Sequence, residues 1–285
     1  MTLVLGGGDS MSALYYESSY NELYHHGIKG MKWGVRRYQN KDGSRTKQGP
    51  IQYSKESNEK IKVNADGSKT IPKGFVFNRV GQSSLDVNDS GGLYVSYGKS
   101  DASRYIKSLG PTPIRKLFNK YSDTVQHITV KTNLKMPSDS EVAKETANIL
   151  LSNEKLFNKF NGSLYSSVYT GELGKNVSKQ DLKKALQNPL GKEGQRLSYS
   201  VNSFFADPNY SKETSVIYDH FRKNGYDALP DVHDRLSGTS KTAMIIINPS
   251  KVSISSTTNI SKDVMKSAKS YVKRLEKLPV SEFAK

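Results

Sequence analysis

The sequence predicts a mixed α+β domain, and three observations carry that prediction. Short β-branched and aromatic runs are few and widely separated, stretches with apolar residues at helical spacing lie between them, and the two kinds alternate at no regular period. An irregular alternation argues against a doubly wound parallel sheet. The domain spans about residues 71–256 as a small mixed sheet with several helices. A largely irregular segment precedes it and an amphipathic helix ends it.

The first strand is expected at Phe75 to Val80, after Ile71-Pro72-Lys73-Gly74 and before Gly81-Gln82-Ser83-Ser84. Gly92-Leu93-Tyr94-Val95-Ser96-Tyr97 reads as a second strand leading into a helix from Ser100, with Asp101, Ala102, Arg104 and Tyr105 in its first turns. Pro111 and Pro113 interrupt, and Ile114, Leu117, Phe118 and Tyr121 then recur at helical spacing. Val125 to Thr132 alternates like a strand. Ser138 to Phe160 carries apolar residues enough for two helices, divided near Ser152-Asn153.

Ser178 with Asp181 is a variant of the capping box and opens a helix through Leu182, Ala185 and Leu186. Further helices cover Gly194 to Phe205 and Lys212 to Asn224, the latter stopped by Gly225. Asp231, His233 and Asp234 fall in a loop, followed by an apolar strand at Ala243 to Ile247 and a last strand at Val252 and Ile254. The C-terminal segment, residues 257–285, holds an amphipathic helix from Ser261 to Leu278 that docks its apolar face and turns lysines outward.

Residues 1–21 form a disordered leader, whose short apolar patch has no cationic region before it and makes a poor signal peptide. Residues 38–70 are polar, with Asp-Gly turn signals at Asp42-Gly43 and Asp66-Gly67, and read as a linker or loose hairpin, the linker itself covering 47–70. No apolar run is long enough to span a membrane. Cysteine is absent, which excludes a disulfide framework, a thiolate metal site and a cysteine nucleophile. With 43 Lys and Arg against 27 Asp and Glu, the net charge of +16 draws the chain toward non-specific DNA or another anionic surface, or marks a solvated lysine-rich exterior.

Between leader and linker lies YHHGIKGMKWGVRR, residues 24–37. His25 and His26 are adjacent and have no third ligand nearby, so they do not make a zinc site. Gly27, Gly30 and Gly34 match no phosphate-binding fingerprint. Recognition suits the composition better: Ile28, Met31 and Trp33 offer apolar anchors, and Arg36 and Arg37 offer charge, on a backbone that glycine frees to take an irregular shape. The other reading packs this stretch as a small N-terminal element with Trp33 in a core.

The run from Gly27 to Arg37 resembles a segment found in virion proteins of tailed phages and prophages of Gram-positive bacteria, commonly near one end of head-associated or minor structural proteins. The resemblance implies that residues 22–46 are a docking label, with His25, His26, Ile28, Met31, Trp33, Arg36 and Arg37 meeting capsid or portal proteins. It implies a location in the virion, and in the host cytoplasm after synthesis or delivery.

Three pieces of the main domain, Lys73 to Val80, Gly92 to Ile106, and Gly225-Tyr226-Asp227-Ala228 with Ala243 to Val252, are similar in order and pattern to the ADP-ribosyltransferase family. That resemblance implies NAD as cofactor, with Arg79 holding its phosphates and Tyr94, Ser96 and Tyr97 shaping the nicotinamide pocket. It also implies a host protein target. The family carries a Glu just before or at the start of the late strand, where this chain has Ser240-Lys241-Thr242. Asp231 or Asp234 is then the carboxylate left to stabilise an oxocarbenium-like centre. The same residues with His233 raise a divalent-metal alternative, although no metal is assigned. The competing class is a structural or DNA-associated minor head component with no turnover.

Overall fold

The computed structural model describes residues 60–81, 88–118, 121–163, 177–236 and 240–276. By contacts the chain divides into two units, residues 50–272 and residues 1–49 with 273–285. The first holds the α+β domain. In the second, the described part is residues 273–276, which contain the end of the last helix.

In chain order the strands are β1 (Lys62–Val63), β2 (Lys69–Ile71), β3 (Val76–Gly81), β4 (Leu93–Val95), β5 (Thr124–Val130), β6 (Leu134–Met136), β7 (Ala228–Pro230), β8 (Met244–Ile246) and β9 (Val252–Asn259). The helices are α1 (Lys99–Leu109), α2 (Pro113–Leu117), α3 (Asp139–Ser152), α4 (Glu154–Gly162), α5 (Lys179–Gln187), α6 (Lys192–Phe205), α7 (Ser211–Lys223), α8 (Val232–Leu236) and α9 (Lys262–Leu275). The α+β class is the one expected. The strands pair as three small antiparallel sheets, β1-β2-β6, β3-β5-β9 and β4-β8-β7, rather than as one mixed sheet. An isolated bridge joins the last two, with Asn78 and Ser96 exchanging N–H to O bonds of 2.7 and 2.9 Å.

Local chemistry accounts for several boundaries. Ser178 and Asp181 form the complete capping box at the start of α5. Asn153 ends α3 and caps α4, accepting from the Leu156 amide at 3.0 Å, so the two helices divide where a side-chain acceptor replaces the lost backbone bonds. Gly225 follows α7 at φ +82°, a conformation that costs other residues about 1 kcal/mol or more.

Alternation along the strands sorts the core. Leu93, Met244, Ile246 and Ala228 face a cluster shared with Phe77, Ile128, Ile71, Leu134 and Val252, so all three sheets contribute to it. On the opposite side of the β4-β8-β7 sheet, Ile245 and Leu229 face a cluster built by α3 to α7, with Phe160, Phe204 and Phe221 at its centre. Burial on both faces is why β8 reads as a continuous apolar run.

Two expectations change. The helical spacing at Ile114, Leu117, Phe118 and Tyr121 yields one turn, α2, and Ile114, Leu117 and Phe118 are 72%, 80% and 65% exposed. Periodicity reports a face, and here no element among the described residues covers it. Residues 62–70, read as part of a polar linker or loose hairpin ahead of the domain, form with Ile71 the β1-β2 hairpin, turned by Gly67 at φ +78°, and belong to the domain through pairing with β6. The C-terminal helix docks its apolar face along residues 262–272 as expected, with Met265 and Ala268 packed against Ile106, Val125 and Ile260.

Asp227 ties the sheets together. Its carboxylate accepts from the Lys135 amide of β6 at 3.1 Å and from Asn248 Nδ2 at 3.1 Å, and it pairs with Lys251 Nζ at 2.8 Å. Its backbone oxygen receives the Ile247 amide at 2.9 Å. Asp227→Ala therefore lowers stability by about 3 kcal/mol, because the Lys135 amide, Asn248 Nδ2 and Lys251 Nζ all lose their shared carboxylate acceptor. Urea unfolding followed by circular dichroism measures the loss.

Candidate functional site

The chemistry-bearing cluster sits where β7 gives way to α8. Pro230 ends the strand. The Asp231 amide still bonds the Ala243 carbonyl across to the segment entering β8, at 3.1 Å. Asp231 then caps α8: its Oδ1 accepts the Asp234 amide at 3.1 Å. Asn202 of α6 clamps the corner, donating to the Pro230 carbonyl at 3.3 Å and accepting from the Val232 amide at 2.8 Å. The expected loop is thus a short capped helix, which a D-x-x-D pattern after a proline supports.

This cap holds Asp231, His233 and Asp234 with their ligating atoms all within 4.8 Å of one another. His233 Nδ1 lies 3.4 Å from Asp234 Oδ1, and the Tyr105 hydroxyl of α1 donates to Asp234 Oδ2. The Tyr199 ring packs on His233 at 5.0 Å between centroids. Asp231 is 4% exposed, whereas the His233 and Asp234 side chains keep 25% and 22% of their surface in solvent.

Their environments push the two carboxyl groups apart. Burial, then the charge of Asp234, raises Asp231 to a pKa of about 6. Burial also works upward on Asp234, but hydrogen bonds from His233 and Tyr105 outweigh it and hold the group below its ordinary value. The bond to Asp234 raises His233 against the opposing effect of burial. Burial and the Asp234 charge raise Tyr105, keeping it a donor. Near neutrality the centre therefore holds one fixed anion, a proton-exchanging carboxyl and an imidazole biased toward its cationic form. Two carboxyls with separated pKa values are the arrangement that general acid–base chemistry uses.

The four residues expected to hold NAD do not gather at one place. The Asn78–Ser96 bridge sets the register, so Ser96 and Tyr94 lie on one face of the strands, and Arg79 and Tyr97 on the other. Arg79 Nη1 donates to Gln126 Oε1 at 3.0 Å. Tyr97 packs against Phe75 and Phe77 at 5.4 and 6.5 Å between centroids. Ser96 is buried, and its backbone forms the bridge. Tyr94 lines a shallow cleft of about 240 Å³ with Asn88, Phe205 and Pro208. As a set these side chains do not fit a single dinucleotide pocket.

Two residues that sequence reasoning passed over turn out to matter. Where the resemblance would place a Glu, Thr242 and Ser240 turn to Asp101, which is 2% exposed and reaches over from α1. Asp101 Oδ2 accepts from the Thr242 amide at 2.9 Å and from its hydroxyl at 2.6 Å, while Thr242 Oγ1 accepts the Tyr97 amide at 2.9 Å. A carboxylate thus stands there, supplied by another element and used as an anchor. Tyr105, one turn after Asp101 on the same helix, orients Asp234. The only signal for either was their i, i+4 spacing.

A divalent cation suits this mixed N and O donor set. Asp231 Oδ1 and both Asp234 oxygens, however, already face protein groups, so the hydrogen-bonded acid pair is the arrangement the side chains adopt.

His25, His26, Ile28, Met31, Trp33, Arg36 and Arg37 lie outside the described residues. A family model described as Family of unknown function (DUF7211) matches residues 17–40. No curated protein and no solved structure matches the chain.

The raised Asp231 sets a pH dependence with a definite sign. Its folded pKa of about 6 exceeds the ordinary carboxyl value, so the folded state binds the extra proton between pH ~4 and ~6 and stability falls as pH rises through that window. Asp231→Asn keeps the cap and removes the ionisation. It raises stability at pH 8 by up to roughly 2–3 kcal/mol and changes little at pH 4, as thermal unfolding at the two pH values measures.

Proposed function

We propose that this is a modular virion protein of a tailed phage, in which residues 17–40 form the core of a docking segment for the head. The α+β domain is an effector carried with the DNA and delivered to the host. Its working centre is Asp231, His233 and Asp234. The observation that carries the enzymatic half is the carboxyl pair itself: two acids in one cluster, one raised toward neutrality and one held anionic. The centre suits transfer or hydrolysis at a glycosidic or ester bond, with Asp234 stabilising developing positive charge and Asp231 exchanging a proton. The docking half rests on the resemblance of Gly27 to Arg37 to virion-protein segments; the family match over residues 17–40, of unknown function, marks only a segment outside the described domain.

NAD is the substrate to try first, because the three segments similar to ADP-ribosyltransferases include β3, β4 and β8, which lie side by side through the Asn78–Ser96 bridge and the β4-β8 ladder. No pocket for it is drawn from Arg79, Tyr94, Ser96 and Tyr97, which divide between two faces. A basic chain at +16 also suits residence beside packaged DNA, which favours a DNA-associated structural role as the second reading.

Incubation of the intact chain with labelled NAD and host lysate transfers or releases label, and Asp234→Asn lowers the rate by about 100-fold or more. No turnover by the intact chain removes the NAD-dependent reading. Deleting residues 17–40 abolishes incorporation into particles, scored on purified virions; unchanged incorporation removes the docking role.

A further inference from the structure

Between α1 and β5 the chain makes a short excursion that is clamped at its base and apolar at its tip. The Ser122 amide bonds the Leu109 carbonyl at 2.9 Å, closing the base. Gly110 lies against Met265 of α9 so closely that a Cβ would come within 2.3 Å of the Met265 methyl carbon. Thr112 caps α2, Pro113 takes its first position, and Arg115 Nη1 reaches back to the Gly110 carbonyl at 3.1 Å. This bracing spends the arginine on holding the turn in place. Ile114, Leu117 and Phe118, the residues that should be inside, are left projecting.

Single exposed apolar residues are ordinary on a protein surface, but three large ones on one braced turn are not. Their exposures of 65–80% describe a projection rather than the wall of a groove. The charge around it is mostly positive: from Ala102 to Ser122 the sequence holds Arg104, Lys107, Arg115, Lys116 and Lys120 and no acidic residue, and the exposed Asp123 follows at the base. Next to the clamp, α9 exposes Lys262, Lys266 and Lys269, with Asp263 the acid in its first turn. An apolar wedge ringed by cations has the chemistry of insertion into an anionic membrane interface, with the side chains entering the acyl boundary and the cations meeting headgroup phosphates.

We infer that the α2 turn is a peripheral membrane-docking wedge: Ile114, Leu117 and Phe118 insert into the surface of an anionic bilayer, held there by Lys116 and the neighbouring basic side chains. None of these three residues belongs to the Asp231 centre.

The full chain is tested by flotation with vesicles of phosphatidylglycerol and phosphatidylcholine in equal parts against vesicles of phosphatidylcholine alone. The intact protein floats with the anionic vesicles. Leu117→Ser with Phe118→Ser, two exposed positions, weakens binding about tenfold or more while circular dichroism stays unchanged. In a Trp33→Phe background, Phe118→Trp gives a blue-shifted emission quenched by brominated acyl chains. Equal binding by the double variant assigns the interaction to general surface charge and overturns the inference, as does failure of the intact chain to prefer anionic vesicles. A dimer in sedimentation equilibrium that the double variant disperses gives the surface to a second copy of the chain and overturns it too.

Discussion

The domain depends on a meeting point of sheets that are individually too small to stand. Three-stranded sheets with strands of two to eight residues bury little apolar surface alone, and each is stable only when its neighbours complete a core. Asp227 fixes that junction. Its side chain and backbone hold β6, the end of β8 and the turn into β9 in one hydrogen-bonded knot, directly before β7. A buried carboxylate with this many donors is a geometric constraint as much as a source of stability, since its donors come from β6 and from the turn into β9. The shared cluster around Phe77, Ile128 and Ile246 then packs beneath it.

The acidic centre follows from the same frame. β7 and β8 pair, which brings the Asp231 amide to Ala243 and starts α8 at a fixed point, while Asn202 of the helical core locks the corner. Asp231 therefore serves two ends. As a cap it supplies the acceptor that α8 needs, and as a buried acid it bears a desolvation cost that is greatest when ionised. Polar groups kept under such tension are typical of working sites, where activity is retained at the expense of stability.

Much of the helical part was legible because periodicity and caps are local. The α3–α4 division at Asn153, the box at Ser178 and the stop at Gly225 depend on residues within a few positions of one another. The apolar run at β8 was legible too, since burial on both faces leaves its mark on composition. The site was only half legible. Asp231, His233 and Asp234 were visible as a group, but Tyr105, which hydrogen-bonds Asp234, and Asn202, which fixes the corner, lie far off in the chain. The division of Arg79 and Tyr97 from Tyr94 and Ser96 follows from one bridge between β3 and β4, which no spacing encodes.

What the sequence by itself determined is the α+β class, the order of most elements and the excess of positive charge, because propensity, capping and composition act over short distances. The tertiary structure alone decided which faces were covered and which acids met. Ile114, Leu117 and Phe118 carry the same periodic signal as a core helix, yet they stay 65–80% exposed, and Asp101 fills by reach from α1 the place where a late-strand acid was sought. Burial and hydrogen-bond partnership are properties of long-range contact, so they exist only once the chain has closed on itself.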